Sequence, residues 1–396
     1  MKWNRRHVVA GLGASIGYPA ALTALGQETV ARAPERPQRA FRPGAVWLDT
    51  SGKPIQAHGG SIIQIGNLFY WYGENKEKTK PGSGIWHWGV RAYSSSDLYN
   101  WQDLGVIIPP VTDDKTSPLY PASKLDRPHI LFHQRLKKFV CWLKIMEKDG
   151  AQTRTVLVAD QFAGPYKIVR QGLRPLGMNA GDFDLAFSPA DGKAYMYFER
   201  VHSEMICADL TDDYTDFNGY YSTHFPRPNP PLVREGPAHF FRQGKHYLAT
   251  SGTTGYFPNP SEIAVADTFH GPWTVLGDLH PDDQSRTSYN SQICSVFRHP
   301  KKEDLYIALA DRWIGPQTSP DFVSGQLSTT LRNGITKALG PDHVPLDANE
   351  MAAMKWVVND SAVNTSEARY VWLPIIFDGD RPIIKWRDEW SIDEFG

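Results

Sequence analysis

The feature that most restricts the fold of this chain is a loose repeat of about 55 residues, each unit opening on a polar cluster. The clusters are His58-Gly59-Gly60, Asp126-Arg127-Pro128, Asp182-Phe183-Asp184, Glu235-Gly236-Pro237 and Asn290-Ser291-Gln292. Counted from His58, Asp126, Asp182, Glu235 and Gln292, the spacings are 68, 56, 53 and 57 residues. Each cluster precedes two hydrophobic runs separated by a turn signal. In the first unit, Ser61 to Tyr72, Gly66-Asn67 supplies the turn of a β-hairpin. The same order recurs from Ile130 to Leu143, Leu185 to Phe198, His239 to Thr250 and Cys294 to Leu309. Outer strands follow from Arg91, Val158, Cys207 and Val265, each closing on an Asp with an aromatic ring a few residues later. The Asp is expected to close a turn and the ring to cover the edge of the unit. Four strands in each of five units predict an all-β, five-bladed β-propeller. A two-sheet sandwich would accommodate the strands but leaves the fivefold repeat unexplained. No helical periodicity longer than a short turn is read beyond the N-terminal region.

Composition supports short strands and tight turns, with 33 Gly, 30 Pro and 48 aromatic residues (13 Trp, 17 Tyr and 18 Phe). Most of these rings are expected in the core, and the rest suit a carbohydrate cleft, where the C–H faces of sugars stack on aromatic planes. Lys and Arg number 42 against 43 Asp and Glu, so no global field favours a nucleic acid or an anionic membrane surface as partner. Cys141, Cys207 and Cys294 follow no metal-ligand spacing and read as small buried hydrophobes. Residues 1–26 carry Arg5-Arg6 ahead of a short apolar stretch that ends in Ala24-Leu25-Gly26, the pattern of a twin-arginine export signal. A periplasmic or extracellular location is therefore expected. Residues 27–43 read as a Pro- and Arg-rich linker, and 44–396 as the propeller. No stretch approaches the roughly 20 apolar residues of a membrane-spanning helix.

In a propeller the first strand of every blade lines the central channel, so the five cluster residues would face one another at its mouth. Carboxylates on separate blades can then stand roughly 6.5 to 9.5 Å apart, the separation that inverting glycoside hydrolysis needs to fit a water molecule. Glu235 breaks into an apolar strand, where partial desolvation would help it hold a proton. Alone it also suits a solvated loop, but its registry with the other units favours the channel. Asp182 and Asp184 alternate across Phe183 and are expected on one face, to tune Glu235 and hold a sugar hydroxyl or, alternatively, to cap a turn. Asp126 beside Arg127 suits either a sugar contact or a plain ion pair. His58, Glu74, Thr253 and Gln292 complete the candidate lining. His87, between Trp86 and Trp88, lacks partners at ligand spacing, so neither a metal nor another cofactor is expected, and no ligand set for a structural Ca2+ in the channel is legible. No Gly-Lys-Ser/Thr phosphate-loop signature occurs in the sequence.

At these residues the chain resembles the family 43 glycoside hydrolases and, within them, the exo-β-1,3-galactanase branch. The matching stretches include Ile55-Gln-Ala-His-Gly-Gly60, Tyr70-Trp-Tyr-Gly-Glu-Asn-Lys76, Asp126-Arg-Pro-His-Ile130, Arg234-Glu-Gly-Pro-Ala238, Thr250-Ser-Gly-Thr-Thr-Gly-Tyr256, Tyr289-Asn-Ser-Gln292 and Ala310-Asp-Arg-Trp313. The resemblance implies a five-bladed propeller that hydrolyses glycosides with inversion and acts on terminal β-1,3-linked galactose of plant-type galactan. It implies that Glu235 is the general acid and that Asp182 (or, with a small shift, Asp184) tunes it and orients the sugar. It also implies that Gln292 positions the water, as its imidic acid tautomer, because the first unit offers His58 where most of the family has a basic Asp. Asp126 stands where the branch usually has Glu, in a position implied to bind the terminal sugar, and Gly181-Asp-Phe-Asp-Leu185 departs from the usual pattern by one residue. An α-L-arabinofuranosidase or β-xylosidase on the same fold, and a propeller that binds glycan without cleaving it, are the alternatives.

Overall fold

The computed structural model describes residues 37–314, 325–339, 344–358 and 363–396. The expected export signal and the linker before residue 37 lie outside the described residues. Phe41, assigned on sequence to the linker, belongs to the fold: it bridges Trp390 and is 3% exposed.

The described chain forms the five expected blades. Blade one comprises β1 (His58–Ile65), β2 (Leu68–Glu74), β3 (Val90–Ser95) and β4 (Gln102–Ile108), and blade two β5 (Lys124–His133), β6 (Lys138–Met146), β7 (Gln152–Ala159) and β8 (Lys167–Leu173). Blade three is β9 (Ala180–Phe187), β10 (Ala194–Arg200), β11 (Glu204–Leu210) and β12 (Phe217–His224); blade four is β13 (Arg234–Arg242), β14 (Lys245–Gly252), β15 (Glu262–Ala266) and β16 (Thr274–Asp278). Blade five uses β17 (Gln292–Arg298), β18 (Tyr306–Arg312), β20 (Leu373–Asp378) and β21 (Arg381–Ile384), with the short β19 (Arg369–Tyr370) beside β18. All pairings within the blades are antiparallel. Two helices, α1 (Gly325–Leu339) and α2 (Ala348–Val358), interrupt blade five between β18 and β19. They correct the expectation of a helix-free chain: sequence patterning was dominated by the strand repeat, and these segments bury only narrow apolar stripes.

Every innermost strand carries a β-bulge at the same step of its ladder. His58 pairs with Glu74, yet Ser61 pairs with Tyr72; Asp126 pairs with Lys144, yet His129 with Trp142. The same single-residue slip separates Glu235↔Ser251 from Ala238↔Ala249, and Gln292↔Asp311 from Ser295↔Leu309. A bulge leaves one residue unpaired and re-aims its neighbours, so each blade turns a polar side chain toward the channel without breaking the sheet beyond it. In blade three the equivalent pair is Ala180↔Arg200, followed by Phe183↔Phe198. The structural counterpart of Glu235 there is therefore Ala180, and Asp182 lies within the bulge.

Apolar clusters fill the seams between blades. One joins Tyr72 and Val90 of blade one to Leu125 and Cys141 of blade two; another joins Val140 and Trp142 of blade two to Phe183 and Met196 of blade three. The largest spans blades four, five and one, and includes Trp71, Trp101, Tyr247, Ile307, Trp372 and Trp390. Trp71 packs 4.5 Å from both Trp372 and Tyr370, and Phe41 4.5 Å from Trp390, ring centroid to ring centroid. Much of the aromatic excess thus locks the ends of the chain together. All three cysteines are free and buried.

Polar contacts close the same seam nearer the axis. Asp311 Oδ1 lies 2.8 Å from His58 Nδ1, and Oδ2 accepts the Gly59 N–H at 2.8 Å. Both side chains are buried, so removing the carboxylate orphans two donors. Asp311→Ala is expected to lower stability by about 3 kcal/mol, at roughly 1–3 kcal/mol per orphaned group, as measured by urea unfolding.

Candidate active site

The bulges bring Asp126, Glu235 and Gln292 to the channel mouth, and their partners on the second strands bring Lys144 and Ser251 beside them. Arg127 ties these blades together. Its backbone is in the left-handed region (φ 50°), which turns its N–H onto Glu74 Oε1 at 2.9 Å. Its guanidinium then reaches two other blades, with Nε 2.8 Å from Asp182 Oδ2 and Nη2 donating to Gln292 Oε1 at 2.9 Å. The ion pair of Asp126 with Arg127 considered from sequence is therefore not formed; Asp126 pairs instead with Lys144 Nζ at 3.2 Å and accepts the Trp86 indole N–H at 2.7 Å. Lys144 Nζ also donates to Asp182 Oδ1 at 2.7 Å.

Two further carboxylates lie just below this layer. Glu74 Oε2 is 2.7 Å from Lys76 Nζ, and Glu199 Oε1 accepts the His202 N–H at 2.8 Å. Arg154, fully buried, donates to the carbonyls of Ala180 at 2.8 Å and Gly181 at 2.6 Å, anchoring the blade-three bulge. The cluster holds the carboxyls of Glu74, Asp126, Asp182, Glu199 and Glu235 against the cations Lys76, Arg127, Lys144 and Arg154. One carboxyl too many is buried for all to ionise cheaply.

The proton settles on Glu235. Burial pushes its acidity well above the ordinary glutamate range, and the negative charges of Asp182 and Glu199 add to this, outweighing Lys144 and Arg127. Asp182 goes the other way: burial would raise it, but Arg127 and Lys144 hold it well below the usual carboxylate range. Burial also lifts Glu74 and Glu199, each to about 7, against the opposing charge of Lys76 and the His202 N–H respectively. A protonated Glu235 facing an ionised Asp182 is an acid poised beside an anion, the division of labour that acid catalysis requires.

Gln292 is held at both ends of its amide. Oε1 accepts from Arg127, and Nε2 donates to Ser251 Oγ at 2.8 Å, leaving one carbonyl lone pair for a further donor. Beside it a narrow cleft is lined by Ser251, Tyr256, Asn290, Gln292, Asp311 and Trp313.

The sequence-predicted residues thus divide. Asp126, Asp182 and Gln292 meet in one network through Arg127 and Lys144, and Glu235 joins it through its backbone carbonyl, which accepts from Ser251 Oγ at 3.3 Å. His58 does not join it: with 0% exposure it bonds Asp311 and the Tyr370 hydroxyl, so it closes the propeller rather than touching a ligand. Asp184 is likewise withdrawn, because its oxygens accept the N–H groups of Leu185 and His239, and Oδ1 faces His129 Nε2 at 3.1 Å. Glu74, 1% exposed, supports Arg127 from below instead of lining the mouth. Thr253 sits half-buried at the rim, its hydroxyl donating to Val233 O at 3.0 Å. Sequence reasoning missed Lys144, Ser251, Glu199 and Trp86 because, Glu74 and Thr253 apart, it followed the first strand of each unit. The cross-strand partner at each bulge was the signal that would have found Lys144 and Ser251.

A five-bladed propeller that gathers a glutamate pushed toward protonation, an aspartate held ionised and a fixed amide at its mouth has the parts that glycoside hydrolysis requires. The match to the model for glycosyl hydrolases family 43 over residues 53–319 places the chain in that family, to which it belongs. Among solved structures it is similar to a GH43 β-1,3-galactosidase at 26% identity and TM-score 0.69, the alignment covering 90% of this chain and 65% of that one. A second GH43 β-1,3-galactosidase, solved with galactodeoxynojirimycin, shares 26% identity at TM-score 0.68, covering 89% of this chain and all (100%) of that one. The exo-β-1,3-galactanase of Phanerochaete chrysosporium, with β-1,3-galactotriose, has TM-score 0.70 at 24% identity, covering 90% and 68% of the two chains, a likeness of fold. Among curated proteins none matches the sequence.

Gly236 supplies a sensitive check on the geometry. Its φ is +58°, and a Cβ there would lie 3.0 Å from Ser251 Oγ and 3.1 Å from both Arg127 Nη2 and Gln292 Nε2. Gly236→Ala is expected to cost about 1–2 kcal/mol of stability from the left-handed backbone alone, and to displace the Gln292 amide; thermal unfolding with a crystal structure of the variant checks both.

Proposed function

We propose that this glycoside hydrolase is an exported, inverting exo-enzyme that releases terminal β-1,3-linked galactose from galactan or arabinogalactan. The feature that carries the reading is a buried Glu235 carboxyl, pushed toward its protonated form by burial and by the charges of Asp182 and Glu199, at the same channel mouth as a Gln292 amide that Arg127 and Ser251 hold in one orientation. Glu235 donates its proton to the glycosidic oxygen as the bond to the anomeric carbon breaks. Positive charge then develops on the sugar, and the ionised Asp182 and Asp126 face it. Water attacks from the opposite side, giving an inverted product. Gln292 Oε1 accepts a hydrogen bond from that water and aligns it; as its oxygen bonds to carbon the water becomes strongly acidic and its proton passes to bulk water, from which the Glu235 carboxylate is reprotonated once the leaving sugar departs. Asp126, held by Trp86 and Lys144, takes the terminal sugar's hydroxyls, with Thr253 at the rim. The galactose assignment is supported by the β-1,3-galactosidases that the chain resembles, and export by the Arg5-Arg6 pattern.

The experiment is hydrolysis of β-1,3-galactan and of 4-nitrophenyl β-D-galactoside, β-D-xyloside and α-L-arabinofuranoside, with the first-formed anomer followed by NMR. Release of α-galactose from β-1,3-galactan is expected. Preferential turnover of the arabinoside or xyloside would replace the sugar, and binding without turnover would replace the enzyme reading. Glu235→Gln is expected to lower kcat on β-1,3-galactan by about 10²–10⁴-fold with the melting temperature preserved. The pH profile has a defined sign as well. The Asp182 charge raises Glu235, so Asp182→Asn should let the proton leave more easily, moving the alkaline limb of kcat/KM to lower pH.

A further inference from the structure

The mouth of the channel carries a second storey, of which the steps above use only Trp86, as the support of Asp126. First strands enter the blades from the mouth and second strands return to it, so loops leaving β2, β14 and β18 rise beyond the polar layer. Each delivers one half-buried ring: Trp86 from the β2–β3 loop, Tyr256 from the β14–β15 loop and Trp313 after β18. Tyr256 stands between the others, its centroid 6.0 Å from Trp86 at 28° and 5.4 Å from Trp313. Trp86 in turn holds Asp126, so the row of rings begins at the group assigned to the terminal sugar, and at its other end Trp313 lies 5.6 Å from His58, ring centroid to ring centroid.

Two devices fix Tyr256. Asn259 staples the base of its loop, accepting the Gly252 N–H at 2.6 Å and donating to Gly252 O at 2.8 Å and Thr254 Oγ1 at 2.7 Å. Phe257, 2% exposed, then plugs into the apolar core of the α1–α2 hairpin, beside Leu331, Ile335 and Met354, while Tyr256 packs on the rim of that core. The hairpin is itself well built. Gly334 lets α1 approach Met354 closely, Lys337 pairs with Glu350 at 2.7 Å, and Asp347 and Glu350 cap α2 reciprocally. The helical pair supplies no blade strand, and outside the blade-five flanks Ile314 and Val363 its apolar core takes in the Tyr256–Phe257 loop.

We infer that the α1–α2 hairpin is a buttress for an aglycone subsite, in which the second sugar of the substrate stacks on Tyr256 and Trp313; this rests on the exo-galactosidase reading. Stacking a pyranose on a preordered ring gains affinity because the ring loses little freedom on binding. The hairpin thereby makes the enzyme select chains over single galactosides, and Tyr256 is a specificity-determining residue.

The test compares β-1,3-galactobiose, which fills the aglycone subsite, with β-galactosyl fluoride, which has no second sugar. For Tyr256→Ala, kcat/KM on galactobiose should fall about tenfold while the fluoride stays within about twofold, and Tyr256→Phe should restore galactobiose hydrolysis. Leu331→Ala, in the hairpin core and away from the channel, should reproduce the selective loss. Equal loss on both substrates, or none on galactobiose, would overturn the subsite; a selective effect of Tyr256→Ala without one of Leu331→Ala would overturn the buttress. Wild-type turnover of the fluoride reports separately on the galactosidase reading. Should the wild type cleave neither substrate, calorimetric titration with galactose and galactobiose still decides the subsite: the disaccharide's advantage is expected in the wild type and lost in Tyr256→Ala, and its absence from the wild type would overturn the subsite.

Discussion

A buried group of charges survives only when each finds an opposite, and this requirement shapes the whole centre of the propeller. Arg127 and Lys144 neutralise Asp182 and Asp126 across two blades, Lys76 answers Glu74, and the charge of Arg154 acts on Glu199. Glu235 has no dedicated cation, so it keeps its proton. The acid is thus selected by exclusion from a set of salt bridges. Any change in that set reaches Glu235, because desolvated charges interact strongly over several ångströms.

The backbone device that permits this arrangement is the repeated bulge. A regular strand entering the channel would alternate its side chains between the two faces of the blade. The extra residue turns one side chain toward the axis while the remainder of the strand keeps its apolar register for the seams between blades. In blades one, two and four the residue after the cluster opening has positive φ, at Gly59, Arg127 and Gly236. Only in blade two does a side chain accompany that strain, and it is the guanidinium that organises the site.

Closure of the ring and chemistry at its mouth draw on the same positions with opposite outcomes. His58 and Glu235 occupy equivalent rungs, yet His58 is spent on Asp311 and Tyr370, fastening blade one to blade five. Some structural equivalent of the acid must serve the seam, since the last blade is built wholly from C-terminal strands and needs polar as well as aromatic contacts to hold the first.

The sequence by itself determined the blades, the hairpins and the order of the channel-facing clusters, because strand alternation, turn residues and repeat spacing are local properties. It also singled out Asp126, Asp182, Glu235 and Gln292, which stood at readable strand openings. Only the tertiary structure decided that Ala180 is the true fifth equivalent, that Asp184 and His58 are structural, and that Lys144 and Ser251 belong to the site. Those outcomes depend on cross-strand register and on which blade a long side chain reaches. Helices α1 and α2 escaped for a related reason: their apolar residues pack on one another, on their flanks Ile314 and Val363 and on Phe257 of blade four, and the last of these is distant in sequence.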